Sequence, residues 1–268
     1  MRFSVNVSLL YTEHPFLERF AHVARAGFQG VEFWWPPPEA LPGLVAAVED
    51  ADLEVALFNF YAGDMPAGDR GLLSDPGREG EFREQVPRAL ELAEQLNCKR
   101  LNALVGLRVA GEDAAAQLER ARSNVAWAAE QAEAIGATVL IEALNTIDNG
   151  PYLISSTAAA ATFADSVGRP NVELQYDVFQ MQRMEGNLTE TLTEHMHRIG
   201  HIQIADLPGR HEPGTGEINF DHVLGAIDAA GYGGWVGLEY RPSGESTDDS
   251  FAWLPPERRG VSTAGTRS

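Results

Sequence analysis

Four strand-like runs in the second half of the chain share one layout: TVLIEALN (138–145), VELQYDVF (172–179), HIQIADLP (201–208) and WVGLEYRP (235–242). Side chains of a strand alternate between two faces. One face carries Val139 and Ile141, Leu174 and Tyr176, Ile202 and Ile204, Val236 and Leu238, a set suited to packing under helices. On the other face Glu142 follows Leu140, Asp177 follows Gln175, Gln203 follows His201 and Glu239 follows Gly237. A packed parallel sheet normally hides no such polar row, so the row needs a partner, and a cation is the simplest one. Any one acid closing a strand is more often a helix cap or a solvated loop carboxylate. Four in phase point to the mouth of a β/α barrel, where active sites are assembled from the C-terminal ends of several strands.

The first half supplies four more strand candidates: FSVNVSLL (3–10), GVEFWWP (30–36), EVALFNFY (54–61) and RLNALVG (100–106). Helical segments fall between the runs, at 15–26, 42–52, 79–96, 114–135, 157–167, 188–199 and 220–230, several closed by Gly27, Gly136, Gly168, Gly200 or Gly231. Strand and helix alternating eight times predict an α/β fold, a closed (β/α)8 TIM barrel, over residues 1–254. The last helix is short or degenerate, since only DDSFAWL follows the eighth strand, and residues 255–268 read as a disordered tail. Two long connections leave strand C-terminal ends and suit functional lids: AGDMPAGDRGLLSDPGREG (62–80), with Arg70, and LPGRHEPGTGEIN (207–219), with Arg210 and His211. Neither contains a phosphate-binding glycine fingerprint.

Composition narrows the function more than the fold. The 20 basic and 39 acidic residues give a net charge of −19, which repels a phosphate backbone and disfavours nucleic acid as a partner. An anionic substrate therefore needs local Arg, His or metal charge. MRFSVNVSLL lacks a signal-peptide pattern, and no apolar run has membrane-spanning length. A single cysteine, Cys98, permits no intrachain disulfide and fits a cytoplasmic protein. Association into a homo-oligomer stays open.

Two Glu, one Asp and a Gln amide form an all-oxygen donor set, which suits Mg²⁺ or Mn²⁺ better than Zn²⁺. Adjacent carbonyl and hydroxyl oxygens of a small substrate would fill the remaining positions. Such an ion stabilises an enediolate as a Lewis acid, while Glu142 and Glu239, on the fifth and eighth runs, serve as acid and base from two sides. The competing reading pairs these acids with arginines inside the barrel. No Ser-His-Asp or Cys-His nucleophile pattern is present, and Cys98 suits packing. His14, after the first strand, is a candidate mouth residue, and Trp34 or Trp35 a candidate pocket wall, with packing under a helix the commoner fate.

LLYTEHPFLERF, LFNFYAGDMPAGDRG, IEALN, LQYDVFQMQRMEGN, HIQIADLPGRHEPGTGEINF and GWVGLEYRP together resemble the hydroxypyruvate isomerase family of the xylose-isomerase-like barrels. The resemblance implies interconversion of hydroxypyruvate and tartronate semialdehyde through a cis-enediolate. It matches Glu142, Asp177, Gln203 and Glu239 to metal ligands and Glu142 and Glu239 to the acid-base pair. His14, Arg70, Gln180, Asp206, Arg210 and His211 are the candidate substrate contacts. One departure stands out: relatives read YDxYHMQ where this chain has Tyr176 to Gln182, so Gln180 replaces a histidine. Gln can donate a hydrogen bond but cannot carry a proton. A 2-oxo-tetronate isomerase, a keto-sugar epimerase, a metal-dependent dehydratase and a sugar-acid-binding barrel without activity use the same frame.

Overall fold

The computed structural model describes residues 1–260. Eight parallel strands close on themselves in chain order: β1 (Arg2–Asn6), β2 (Gly30–Phe33), β3 (Glu54–Asn59), β4 (Arg100–Asn102), β5 (Thr138–Glu142), β6 (Val172–Asp177), β7 (Ile199–Ile204) and β8 (Trp235–Leu238). Pairing of Phe3 with Val236 and Val5 with Leu238 closes the ring. Several strands stop short of the apolar runs that announced them. After Asn6, the Leu9 and Leu10 amides turn back onto the Asn6 carbonyl and the Ser8 amide binds the Asn6 side chain, so the chain bends instead of extending. Beyond Asn102 the Val105 amide leaves the ladder for the Tyr152 hydroxyl.

The outer layer contains α1 (Arg19–Arg25), α2 (Leu41–Asp50), α3 (Glu79–Gln95), α4 (Ala114–Glu133), α5 (Thr146–Asn149), α6 (Thr157–Val167), α7 (Val178–Met184), α8 (Leu188–His195) and α9 (Phe220–Ala229). Their apolar stripes pack on the outward strand faces: Val139, Ile141, Leu174, Ile202, Val236 and Leu238 are all buried. Between β2, β3 and α1 the Phe33 ring stacks on Phe58 at 5.5 Å and meets Phe20 edge-on at 6.0 Å. Burying a ring of that size contributes about 1.5–3 kcal/mol. Cys98 is buried as well, with its thiol pushed up to about 12 by burial, which suits a packing role.

Two helices were not legible as such. α5 and α7 start directly at the mouth and owe their first turns to side-chain caps: Asn145 accepts from the Ile147 and Asp148 amides, Asp177 from those of Phe179 and Gln180. Gly200, expected to close a helix, lies inside β7, where a Cβ would meet the Glu173 carboxylate at 2.3 Å. In place of an eighth helix there are 3-10 turns at Asp248–Phe251 and Pro256–Arg258. The expected tail does not begin at 255: Arg259 donates to the Ala26, Leu254 and Phe251 carbonyls and lies over the Phe28 and Phe251 rings. Residues 261–268 of that tail lie outside the described residues. No helix among the described residues is long and apolar enough to cross a membrane.

Candidate active site

Glu142 ends β5, Asp177 ends β6 and Glu239 follows β8, and the barrel's closure brings these three buried carboxylates together at its C-terminal mouth. One oxygen from each lies within 4.8 Å of the others, a spacing that could hold a single divalent ion. Asp177 serves twice. Its Oδ1 caps α7, accepting from the Phe179 amide at 2.8 Å, while its Oδ2 faces the cluster. The helix cap that a strand-end acid allows is therefore present on the same side chain that joins the cluster.

The partners of the two glutamates differ. Glu142 accepts a hydrogen bond from Asn102 Nδ2 at 2.7 Å. Glu239 Oε1 accepts from Trp34 Nε1 at 2.8 Å and from Asn6 Nδ2 at 3.2 Å. Its Oε2 accepts from the Arg210 guanidinium, which also reaches Asp177 Oδ2 at 3.3 Å. Burial pushes the Glu142 carboxyl well above the usual carboxylate range, and Glu239 and Asp177 push it further; Asn102 and Arg210 only partly offset this. Asp177 is also raised, by burial and by Glu239, against the pull of Arg210. Burial works against the charge of Arg210, but Glu239, Asp177 and Glu142 outweigh it and raise its pKa. Three carboxylates and one guanidinium, all ionised, leave a charge of −2 at the mouth, which favours cations.

Beneath this cluster the barrel is filled by polar side chains. Glu32, in the middle of β2, is fully buried and takes hydrogen bonds from Ser4, Asn6, His201 and Gln203. Burial would raise its pKa, yet His201 and these hydrogen bonds hold it below the usual value. The sequence reading passed over Glu32, although a charged residue between Val31 and Phe33 in an otherwise apolar run was its signal. Gln203 pairs in register with Asp177 on one side and, on the other, with Gly237, two residues before Glu239. Its amide oxygen accepts from Gln175 Nε2 at 2.6 Å, and its amide nitrogen faces Glu32.

The other sequence candidates divide. Arg210 reaches the carboxylates directly and lies over the Phe179 ring at 5.1 Å. Gln180 is buried beside them, but its carbonyl oxygen takes the Asn145 backbone amide at 2.8 Å, tying α7 to the loop after β5. Arg70 bonds Asn149 and the Met65 and Asp69 carbonyls, so the 62–80 connection folds against α5. Asp206 is tied to its own loop. Its carboxylate accepts four backbone amides, those of Leu207, Gly214, Gly216 and Ile218, and anchors the 207–219 loop that carries Arg210. His211 lies in that loop with Nδ1 at 2.8 Å from the Arg241 carbonyl. His14 stacks on His22 of α1, ring centroids 3.7 Å apart, and has no contact with the triad among the described residues. Trp34, read as a pocket wall, is a hydrogen-bond donor to the triad.

Comparison with known proteins agrees with this geometry. Residues 20–257 match the profile of the xylose isomerase-like TIM barrels. Hydroxypyruvate isomerase of Escherichia coli K12 is 42% identical over 258 residues, covering 96% of this chain and 100% of the relative. The chain belongs to the hydroxypyruvate isomerase family. It is an enzyme of the isomerase class. A 2-oxo-tetronate isomerase of Cupriavidus necator is 41% identical, covering 95% of this chain and 98% of its own. A Brucella melitensis crystal structure named AP endonuclease, family 2, superposes with a TM-score of 0.91 at 40% identity, covering 96% and 99% of the two chains. At 22% identity, an Escherichia coli 3-keto-D-glucoside 4-epimerase shares the fold, with a TM-score of 0.79 over 95% and 98% of the chains.

Proposed function

We propose that the protein is a metal-dependent isomerase of a small 2-oxo hydroxy acid, with hydroxypyruvate and tartronate semialdehyde as its first-choice pair. The observation that carries this reading is the buried triad of Glu142, Asp177 and Glu239 at the barrel mouth, three hard oxygen donors within 4.8 Å. The donor set fits Mg²⁺ or Mn²⁺, which prefer oxygen ligands. Gln203 is the fourth ligand in this proposal, because its amide oxygen retains a second lone pair beside the hydrogen bond from Gln175. An ion held there supplies Lewis-acid stabilisation of negative charge on two adjacent substrate oxygens.

The chain's own residues then move the proton. Glu142 ends β5 and Glu239 follows β8, so they approach the substrate from separate strands, one taking a proton from carbon and the other returning it, by way of a cis-enediolate. Trp34 and Asn6 hold Glu239 by one oxygen and Arg210 by the other, which fixes its orientation. The substrate carboxylate needs a cation in a site of net negative charge. Arg70, whose Nη2 makes no hydrogen bond among the described residues, and His211 are the counter-ions in this proposal, with Arg210 already on the triad. Gln180, with its amide nitrogen unpaired among the described residues, offers a neutral donor. A cytoplasmic location fits the single buried thiol.

A 2-oxo-tetronate is the second reading, favoured by near-equal identity to a relative of that name, and a keto-sugar epimerase the third. A phosphodiester substrate suits a carboxylate-only triad and a net charge of −19 poorly. An NMR screen of C3 and C4 oxo acids in deuterated buffer with Mn²⁺ tests the proposal. Conversion of hydroxypyruvate with deuterium uptake is the expected result. Turnover of a neutral ketose alone would overturn the acid assignment.

A further inference from the structure

Glu32 lies below the reacting groups, and the proposed reaction does not use it. Its Oε1 takes Gln203 Nε2 at 2.7 Å and Asn6 Nδ2 at 3.2 Å; its Oε2 takes His201 Nε2 at 2.7 Å and Ser4 Oγ at 2.8 Å. The barrel makes room for it. A Cβ on Gly237 would lie 2.3 and 2.5 Å from the two oxygens, so β8 carries glycine where the carboxylate sits. Packing alone does not call for an acid here, because an apolar side chain of similar volume fills a barrel without the desolvation cost of a charge. What distinguishes a carboxylate is that it only accepts hydrogen bonds.

That property fixes two amides. Gln203 must present its NH₂ to Glu32, which leaves its carbonyl oxygen on the β6 side, where Gln175 donates to it and where Asp177 stands two residues further along the strand. Turned over, the amide would put its NH₂ on that side, and an NH₂ cannot ligate a cation. Asn6 is fixed in the same way. Its Nδ2 is shared between Glu32 Oε1 and Glu239 Oε1, and its Oδ1 takes the Ser8 amide at 3.0 Å. We propose that Glu32 is a positioning residue: it orients the Gln203 amide with its oxygen toward the ligand strands and, through Asn6, holds the Glu239 carboxylate. This deepens the metal-site reading above and rests on it.

The test is Mn²⁺ binding by calorimetry to the full chain after chelator treatment, with thermal melting alongside. Glu32→Met removes the acceptor and should weaken Mn²⁺ binding by roughly 10–100-fold, the scale on which ligand-orienting partners act. Glu32→Gln should rescue it. Its amide oxygen can keep Gln203 and Asn6, while its NH₂ meets the Ser4 oxygen and the His201 tautomer that accepts at Nε2. Ser4→Ala should lower the melting temperature and leave Mn²⁺ affinity unchanged, separating stability from orientation. Where Glu32→Met does not fold, Gly237→Ala displaces the carboxylate with every hydrogen-bonding residue retained, and the same loss of affinity is expected. Wild-type affinity in Glu32→Met, or in Gly237→Ala where it stands in, would overturn the proposal. So would a loss in Glu32→Gln equal to that in Glu32→Met, which would show a charge effect. A wild type that binds no Mn²⁺ would instead overturn the metal-site reading, and the role of Glu32 with it.

Discussion

The indole Nε1 of Trp34 donates to Glu239 Oε1 at 2.8 Å, linking the end of β2 to the end of β8 past the intervening β1. With Asn6 on the same oxygen and Arg210 on the other, Glu239 is held by three donors among the described residues, whereas Glu142 has one. Trp34→Phe keeps the ring and removes the donor. A hydrogen bond to a charged group contributes about 1.5–3 kcal/mol, so kcat should fall roughly 10–100-fold with KM nearly unchanged. Steady-state kinetics on hydroxypyruvate checks this. An unchanged kcat would detach the indole from the function of Glu239.

Glu142→Gln and Glu239→Gln should each keep the barrel, as read by circular dichroism, and each lower kcat by at least ~10²-fold, the usual contribution of a positioned acid or base. A variant with near-normal kcat would remove that residue from the proton transfer.

The raised carboxyl of Glu142 has a consequence for stability. Burial, Glu239 and Asp177 make the folded protein bind its proton up to a higher pH than the unfolded chain does. Stability from this group is therefore present at low pH and is lost as pH rises from the ordinary Glu value of ~4.3 through the raised one. Glu142→Gln abolishes that loss. In chelator-treated protein, its unfolding free energy relative to wild type should climb with pH across this window, by up to about 1.4 kcal/mol per pH unit. A difference that stays flat in denaturant titrations from acid to neutral pH would contradict the assignment.

Asp206 binds four backbone amides at the base of the loop that presents Arg210. Asp206→Ala strands those donors, at a cost of about 1–3 kcal/mol once water reaches some of them. Trypsin cleavage after Arg210 should accelerate and KM should rise. Unaltered cleavage would show that the loop is held by other contacts.

The barrel was legible because all eight strand runs carry outward apolar faces, and the acids at their ends fall in phase. Glu142, Asp177 and Glu239 converge as that phase implies. Strand lengths were not legible, since Val7, Leu9, Leu10 and Ala103 to Val105 are apolar yet are buried in loops that follow their strands. α5 and α7 escaped because their caps, Asn145 and Asp177, were read as strand-end residues. The use of Asp206 by loop amides was not legible either, because it depends on a tertiary turn that spacing does not encode. Glu32 was hidden for a similar reason. Its four donors come from β1 and β7, strands far from it in sequence.

In the proposed reaction the triad works by holding a divalent ion. The most direct measurement follows hydroxypyruvate by NMR in deuterated buffer with chelator-stripped enzyme, before and after one equivalent of Mn²⁺. The expected result is no turnover in the stripped protein, then formation of tartronate semialdehyde with deuterium at the carbon beside the carboxylate once the ion is added. Full turnover in the stripped protein, unchanged by Mn²⁺, would contradict it.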